Sequence, residues 1–223
     1  MVTTVTVAEV LAAAPATRLP YSSVQTFSVG LLSLADSSEV LLLSFLPLLL
    51  DFDDINVPLL LSSTFIGELI GTSLGYFGDI YGRRPISLIS AALILFFGIL
   101  SSVSPTFGFF IAMRIMVGVG IGALSGPYDL LSELLHPDAR GKKLLEVQYW
   151  WTVGSLLPIL LLVITKGAWR SFTFLAALPA LVCLVTFAVY GCESPEWLVS
   201  QGREEEVRGG GERALESREL RSN

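Results

Sequence analysis

Hydrophobic residues in this chain come in long runs that short polar segments separate. A helix that crosses the hydrocarbon core of a bilayer needs about 20 mostly apolar residues, and about six runs reach that length. Because the polar segments are short, helices that follow one another should lie antiparallel. The predicted membrane-spanning helices are Thr26–Leu50, Val57–Tyr76, Ile86–Val103, Phe107–Leu131, Leu144–Thr165 and Trp169–Tyr190.

The composition agrees with a membrane environment. Only 15% of the residues are charged, whereas soluble domains carry about 25%, and the mean hydropathy is +0.68. We therefore predict an all-α, multi-pass integral membrane protein. Its expected parts are an N-terminal segment over residues 1–24, a six-helix bundle over residues 25–191, and a partly disordered tail over residues 192–223.

The basic residues lie unevenly across the short loops, and this asymmetry sets the orientation of membrane helices. Seven basic residues fall on one side of the membrane, and the other side carries only Lys166 and Arg170 in its short loops. Both termini are therefore predicted to be cytoplasmic, although the pattern does not distinguish a plasma membrane from a vesicle membrane. The basic residues on the predicted cytoplasmic side are Arg18, Arg83, Arg84, Arg140, Lys142, Lys143 and Arg203.

Several classes of function are disfavoured. The formal net charge is -6, and no basic stripe is present to bind nucleic-acid phosphates. Cys183 and Cys192 form no disulfide framework or zinc motif. No nucleophile with a base, metal cluster or phosphate loop is visible, so neither an enzyme nor a cofactor is predicted.

Glycine recurs every four residues on two of the predicted helices. Gly67, Gly71 and Gly75 follow this spacing on the second helix. Gly118, Gly122 and Gly126 do so on the fourth. Membrane helices associate through close backbone approach, so both stripes predict tight seams between helices.

Ionisable residues inside membrane helices are costly and usually functional. Arg114 falls near the membrane depth of Glu39 when residues are counted at about 1.5 Å each, so it could pair with Glu39 or Asp36. One interpretation is a structural ion pair. We favour a substrate or proton site near the midplane, because two carboxylates exceed the charge of one arginine. The candidate residues are Asp36, Glu39, Glu68, Arg114, Glu146 and Gln148.

A recognisable motif joins the second and third helices. The segment Gly75-Tyr-Phe-Gly-Asp-Ile-Tyr-Gly-Arg-Arg-Pro85 resembles the cytoplasmic signature of the major facilitator superfamily, with Ile80 where the family often has a basic residue. Three further segments resemble the family in the expected order. They are Arg114 to Gly122, Glu133 to Gly141, and Glu193 to Leu198.

The first helix narrows the resemblance. The segments Leu34 to Phe45 and Glu146 to Gly154 are similar to the synaptic-vesicle transporter-like and organic-ion branch of the family. The ends of the chain resemble sugar porters. The resemblance implies a fold of two six-helix halves with substrate between them. It also implies a cytoplasmic network that locks the outward-open state. The network residues are Gly75, Asp79, Gly82, Arg83, Arg84, Glu133, Arg140 and Glu193.

The resemblance implies secondary active transport of a small organic solute, an organic ion or a sugar-like molecule, with proton coupling as an option. The family has about twelve spans, and this sequence contains about half of them. The expected partners are therefore the solute, the bilayer, and a second six-helix half or a second copy of the chain. The alternative is a truncated or half-size membrane interaction protein that does not transport.

Overall fold

The computed structural model describes residues 18–52, 55–135, 137–191 and 193–203. Within these ranges the chain forms eight helices and no strand. Six stretches are long and apolar enough to cross a membrane, which confirms the all-α prediction of six spans. The helices are α1 (Arg18–Leu49), α2 (Val57–Tyr81), α3 (Arg83–Ser102), α4 (Phe107–Gly122), α5 (Ser125–Leu134), α6 (Pro137–Thr165), α7 (Trp169–Tyr190) and α8 (Pro195–Ser200).

The connection between α2 and α3 is shorter than the sequence suggested. The second helix does not end at Tyr76 but continues to Tyr81, and α3 begins at Arg83. Gly82 alone makes the turn, with φ of 104° and its N–H bonded to the Gly78 carbonyl at 3.0 Å. Only glycine adopts such a φ readily, so one residue suffices to reverse the chain.

The fourth predicted span is confirmed as one apolar stretch over Phe107–Ser132, but the helix within it is not continuous. It breaks between α4 and α5, where the Leu124 N–H bonds the carbonyl of Ile121, only three residues earlier, at 2.9 Å. Pro127 explains the break, because its ring cannot donate a hydrogen bond to the carbonyl of Ala123. The helix restarts with Pro127 in its first turn, where proline is tolerated.

The helices form one bundle. α1 packs against α6 and α7, α2 packs against α4, and α3 packs against both α4 and α7. One cluster of buried side chains surrounds Leu32 and Ile94, and the other surrounds Leu46 and Phe110. Many large apolar side chains, such as Val163, are exposed on the bundle surface, as expected where lipid replaces water around a bundle.

The seam between α2 and α4 is as tight as the glycine stripes predicted. A Cβ atom added to Gly118 would overlap the carbonyl oxygen of Thr64, and one added to Gly67 would overlap that of Ile115. Gly122 meets the Glu68 carbonyl in the same way. The stripe ends at the helix break, because Gly126 lies in α5.

The two ends of the bundle differ in chemistry. At the Arg83 end, which holds Arg83 and α8, charged side chains join the helices. At the Trp169 end, aromatic rings do so: Phe52 lies 5.4 Å from Trp169 between ring centroids, and Phe110 lies 5.9 Å from Trp169. Arg170 stacks on Trp169 at 4.4 Å.

Part of the predicted C-terminal segment is helical. The Ser194 hydroxyl caps α8 by accepting the Trp197 N–H at 3.1 Å, and Leu198 is buried. The predicted disordered tail from residue 204 onward lies outside the described residues, as do residues 1–17 of the predicted N-terminal segment and Cys192.

Candidate functional site

A buried ion pair joins α1 to α4. The side chains of Glu39 and Arg114 have no solvent exposure, and Arg114 Nη1 lies 2.5 Å from Glu39 Oε2. Arg114 Nη2 donates to the hydroxyl of Ser101 on α3, and the guanidinium lies 5.5 Å from the centroid of the Phe110 ring. The pair therefore ties three helices together inside the bundle.

The hydrogen bonding of this pair is incomplete. Glu39 Oε1 and Arg114 Nε are buried without a hydrogen-bond partner. Buried ionic groups are costly unless their remaining donors and acceptors are satisfied. The geometry therefore leaves one oxygen of the Glu39 carboxylate without a hydrogen bond.

An open pocket of about 460 Å³ lies between α1, α2, α4 and α5. This volume is within the range of about 300–1,000 Å³ that small-molecule sites occupy. Asp36 and Glu68 contribute carboxylates to its lining, and no lysine, arginine or histidine is among the described residues that line it. Its remaining lining includes Phe65, Thr72, Ile121 and Tyr128.

Asp36 is surrounded by groups from several helices. Glu68 on α2 and Glu39 on α1 act on it electrostatically, and the side chain of Trp151 on α6 lies beside its carboxyl group. The neighbouring Trp150 has a different environment, because its indole covers Gly30 and meets the Phe27 ring edge-on at 5.4 Å. Trp150 therefore packs α6 against α1, while Trp151 belongs to the surroundings of Asp36.

Two predicted site residues on α6 lie away from this pocket. Glu146 is exposed and pairs with Lys143 Nζ at 2.7 Å, one turn earlier on the same helix. Gln148 is also exposed. Neither contributes to the pocket lining, so the structure brings together Asp36 with Glu68, and Glu39 with Arg114, but not these two.

At the Arg83 end, Glu193 binds the start of α3. Its Oε1 accepts the backbone N–H groups of Arg83 at 2.7 Å and Arg84 at 3.1 Å, and that of Ser194 at 3.0 Å. A carboxylate suits this position, because the first N–H groups of a helix lack partners and carry partial positive charge. Gly82 makes room, since a Cβ there would overlap Glu193 Oε2.

Arg83 joins two further helices. Its guanidinium lies 3.2 Å from Asp79 on α2 and 2.9 Å from Asp129 on α5. Sequence reasoning missed Asp129. The available signal was its spacing, because Asp129 precedes Glu133 by four residues and so shares a helix face with it.

The other predicted members of this network are more scattered. Arg84 Nη2 donates to the Ala188 carbonyl at 3.1 Å, which ties α3 to α7. Gly75 is half-buried in α2, whereas Arg140 is exposed and has no ion-pair partner among the side chains that the structure describes. The side chain of Glu133 lies outside that part of the chain.

In the four described ranges, no three His, Cys, Asp or Glu side chains converge to hold a metal ion. Three carboxylates stand out in the interior of the bundle, those of Asp36, Glu39 and Glu68. The carboxylate of Glu39 is buried in an ion pair with Arg114, and those of Asp36 and Glu68 line the open pocket.

The sequence matches the model of a family described as sugar (and other) transporter over residues 20–222. Synaptic vesicle 2-related protein of Xenopus laevis is 34% identical over 193 residues, which cover 83% of this chain and 34% of that protein. Organic cation/carnitine transporter 7 of Arabidopsis thaliana is 31% identical over 180 residues, covering 78% of this chain and 36% of that protein.

The fold matches that of a solved membrane protein. The major facilitator superfamily proton:xylose symporter XylE of E. coli, bound to 6-bromo-6-deoxy-D-glucose, aligns with a TM-score of 0.75 at 23% identity. The alignment covers 89% of this chain and 52% of XylE. The chain thus spans about a third of the length of the curated relatives described above, at 34% and 36%, and about half of XylE.

Proposed function

This chain belongs to the sugar (and other) transporter family of the major facilitator superfamily, and from that premise we propose that it performs secondary active transport of a small organic cation. The pocket between α1, α2, α4 and α5 is the solute site in this proposal. Acidic residues within membrane spans commonly mark solute and ion pathways, and two of them face this pocket.

The charge of the pocket carries the choice of a cation. Asp36 and Glu68 both line it, and the described lining offers no basic side chain to neutralise them. The charge of Glu39 is already neutralised by its ion pair with Arg114. A cationic solute would offset the carboxylates that remain. A neutral sugar-like solute would leave them uncompensated, which makes it the weaker candidate.

The buried pair is suited to proton coupling. Glu39 Oε1 has no hydrogen-bond partner, and protonation of Glu39 would weaken its attraction to Arg114. Because the pair links α1, α3 and α4, its loosening would free these helices to move relative to one another. We propose that this step couples proton binding to alternating access.

The Arg83 end supplies the closing contacts in this scheme. Glu193 ties α8 to the start of α3, and Arg83 bridges α2 and α5. The excess of lysine and arginine at this end supports a cytoplasmic location for it and for both termini. The network would hold the protein closed toward the cytoplasm until the pocket is occupied.

The second wall of the pathway has to come from another six-helix unit. The pocket is open, and the chain covers 52% of XylE, whose fold it shares. Such a unit could be a continuation of the polypeptide or a second copy of the chain. Either would close the pocket against lipid.

Uptake by proteoliposomes tests the proposal. Vesicles containing the protein should accumulate radiolabelled tetraethylammonium, a cation whose charge does not depend on pH. Unlabelled quaternary ammonium compounds should compete, and a neutral sugar should not. Accumulation of the sugar alone would reject the cation, and no uptake of either solute would favour a membrane interaction protein that does not transport.

A further inference from the structure

The hydroxyl group of Tyr128 has no role in the transport scheme proposed above. Tyr128 lies in α5 and lines the same pocket as Asp36 and Glu68. Its hydroxyl donates to Ser33 Oγ at 2.8 Å, and Ser33 is fully buried on α1, one turn before Asp36. This hydrogen bond joins α5 to α1 beside the pocket.

The next residue on α5 makes a contact in another direction. Asp129 accepts a hydrogen bond from Arg83 Nη1 at 2.9 Å, so α5 is held to α3 as well as to α1. Two adjacent residues thus connect the solute pocket to the ion-pair network. A movement of α5 as one unit away from both α1 and α3 would break the two contacts together.

The chain also offers a hinge for such a motion. Between α4 and α5, Leu124 bonds Ile121 at 2.9 Å in the tighter three-residue pattern, and Pro127 cannot restore the regular ladder across the break. A helix interrupted in this way can change direction at the break without losing its internal hydrogen bonds. The Leu124 side chain itself lines the pocket.

We propose that Tyr128 and Ser33 form a latch that holds α5 over the pocket, and that Tyr128 is a positioning residue which links pocket opening to the Arg83–Asp129 ion pair. Naming the pocket as the solute site rests on the proposed function. The latch concerns only the position of α5, and it can be tested without measuring transport.

Distances between spin labels can test the latch. One label replaces Ser132, which is half-exposed on α5, and the other replaces Ile89, which is exposed on α3. Cys183 is changed to alanine and Cys192 to serine beforehand. Double electron–electron resonance on the detergent-solubilised protein then reports how often α5 separates from α3.

The informative variant is Tyr128→Phe, because the hydroxyl that it removes contacts α1 and not α3. Loss of one hydrogen bond of ordinary net strength should raise the separated population about two- to tenfold. Ser33→Ala removes the same bond from the other side and should give the same rise. Asp129→Asn, which acts directly on the ion pair, should raise this population by up to about fivefold.

Controls separate the latch from general loosening. Tyr149→Phe removes an equivalent hydroxyl from an exposed tyrosine on α6 and should leave the distances unchanged. A second label pair, at Ile89 and the exposed Val185 of α7, should keep its distance in every variant. If either Tyr128→Phe or Ser33→Ala disturbs that pair, the other variant decides the outcome.

The proposal is overturned if neither Tyr128→Phe nor Ser33→Ala increases the separated population, alone or in the Asp129→Asn background. It is also overturned if only Asp129→Asn has an effect, because the two contacts would then open independently. Failure of tetraethylammonium uptake would leave these distance results standing and would count against the transport proposal alone.

Discussion

The carboxylates of Asp36 and Glu39 lie one helical turn apart on α1 but face different surroundings. Glu39 is fully buried and ion-paired with Arg114, whereas Asp36 is half-buried and lines the open pocket with Glu68. In the proposed mechanism this division gives each acid a separate task, with Glu39 linking the helices through Arg114 and Asp36 meeting the solute in the pocket.

The buried pair should show strong coupling between its two members. Glu39→Leu leaves the Arg114 charge buried without its partner, and Arg114→Met does the same to Glu39. Each change should lower the free energy of unfolding by about 3–5 kcal/mol. The double variant should be less destabilised than either single variant, because no uncompensated charge remains. Unfolding followed by circular dichroism in detergent micelles measures all three, and purely additive losses would contradict the coupling.

The seam between α2 and α4 should not tolerate a methyl group. Gly118→Ala places its Cβ against the Thr64 carbonyl oxygen, which belongs to the backbone and cannot rotate away. Stability should fall by at least about 3 kcal/mol, the upper end for overpacked sites. Gly108→Ala is the matched control on the same helix, since a Cβ there meets nothing within 4 Å. Equal melting temperatures for the two variants would show that the seam is looser than described.

Gly82 combines a backbone conformation that favours glycine with a close contact to Glu193, and Gly202 shares with it only the positive φ. Gly82 and Gly202 both have positive φ, at 104° and 71°, so alanine is strained at either position. Only at Gly82 would the added Cβ overlap the Glu193 carboxylate. Gly82→Ala should therefore cost about 1–3 kcal/mol more than Gly202→Ala. Thermal denaturation of both variants measures the difference, and similar losses would argue against the Glu193 contact.

The fold was readable from the sequence because the bilayer imposes a simple rule of length and polarity. α7 has the bounds that its apolar run predicted, Trp169 to Tyr190. The helix ends next to Gly82 were wrong, because hydropathy reports where a chain leaves the membrane and not where its helix stops. The break before Pro127 was missed for a similar reason, since an apolar run continues through it.

The site was readable only in part. The depth of each residue follows from its position along a span, so the level of Arg114 relative to Glu39 could be estimated. The rotation of one helix against another depends on packing, and the sequence does not contain it directly. The exposed position of Glu146, the pairing of Asp129 with Arg83, and the role of Tyr128 all depend on that rotation.

The initial rate of tetraethylammonium uptake by matched variants tests the central claim most directly. Asp36→Asn removes a pocket carboxylate, while Glu146→Gln removes an exposed carboxylate that pairs only with Lys143 among its described contacts. Loss of one charged contact to the solute should reduce uptake at least about tenfold in Asp36→Asn, and Glu146→Gln should transport like the parent protein. Unchanged uptake in Asp36→Asn, or an equal loss in both variants, would contradict the assignment of this pocket as the solute site.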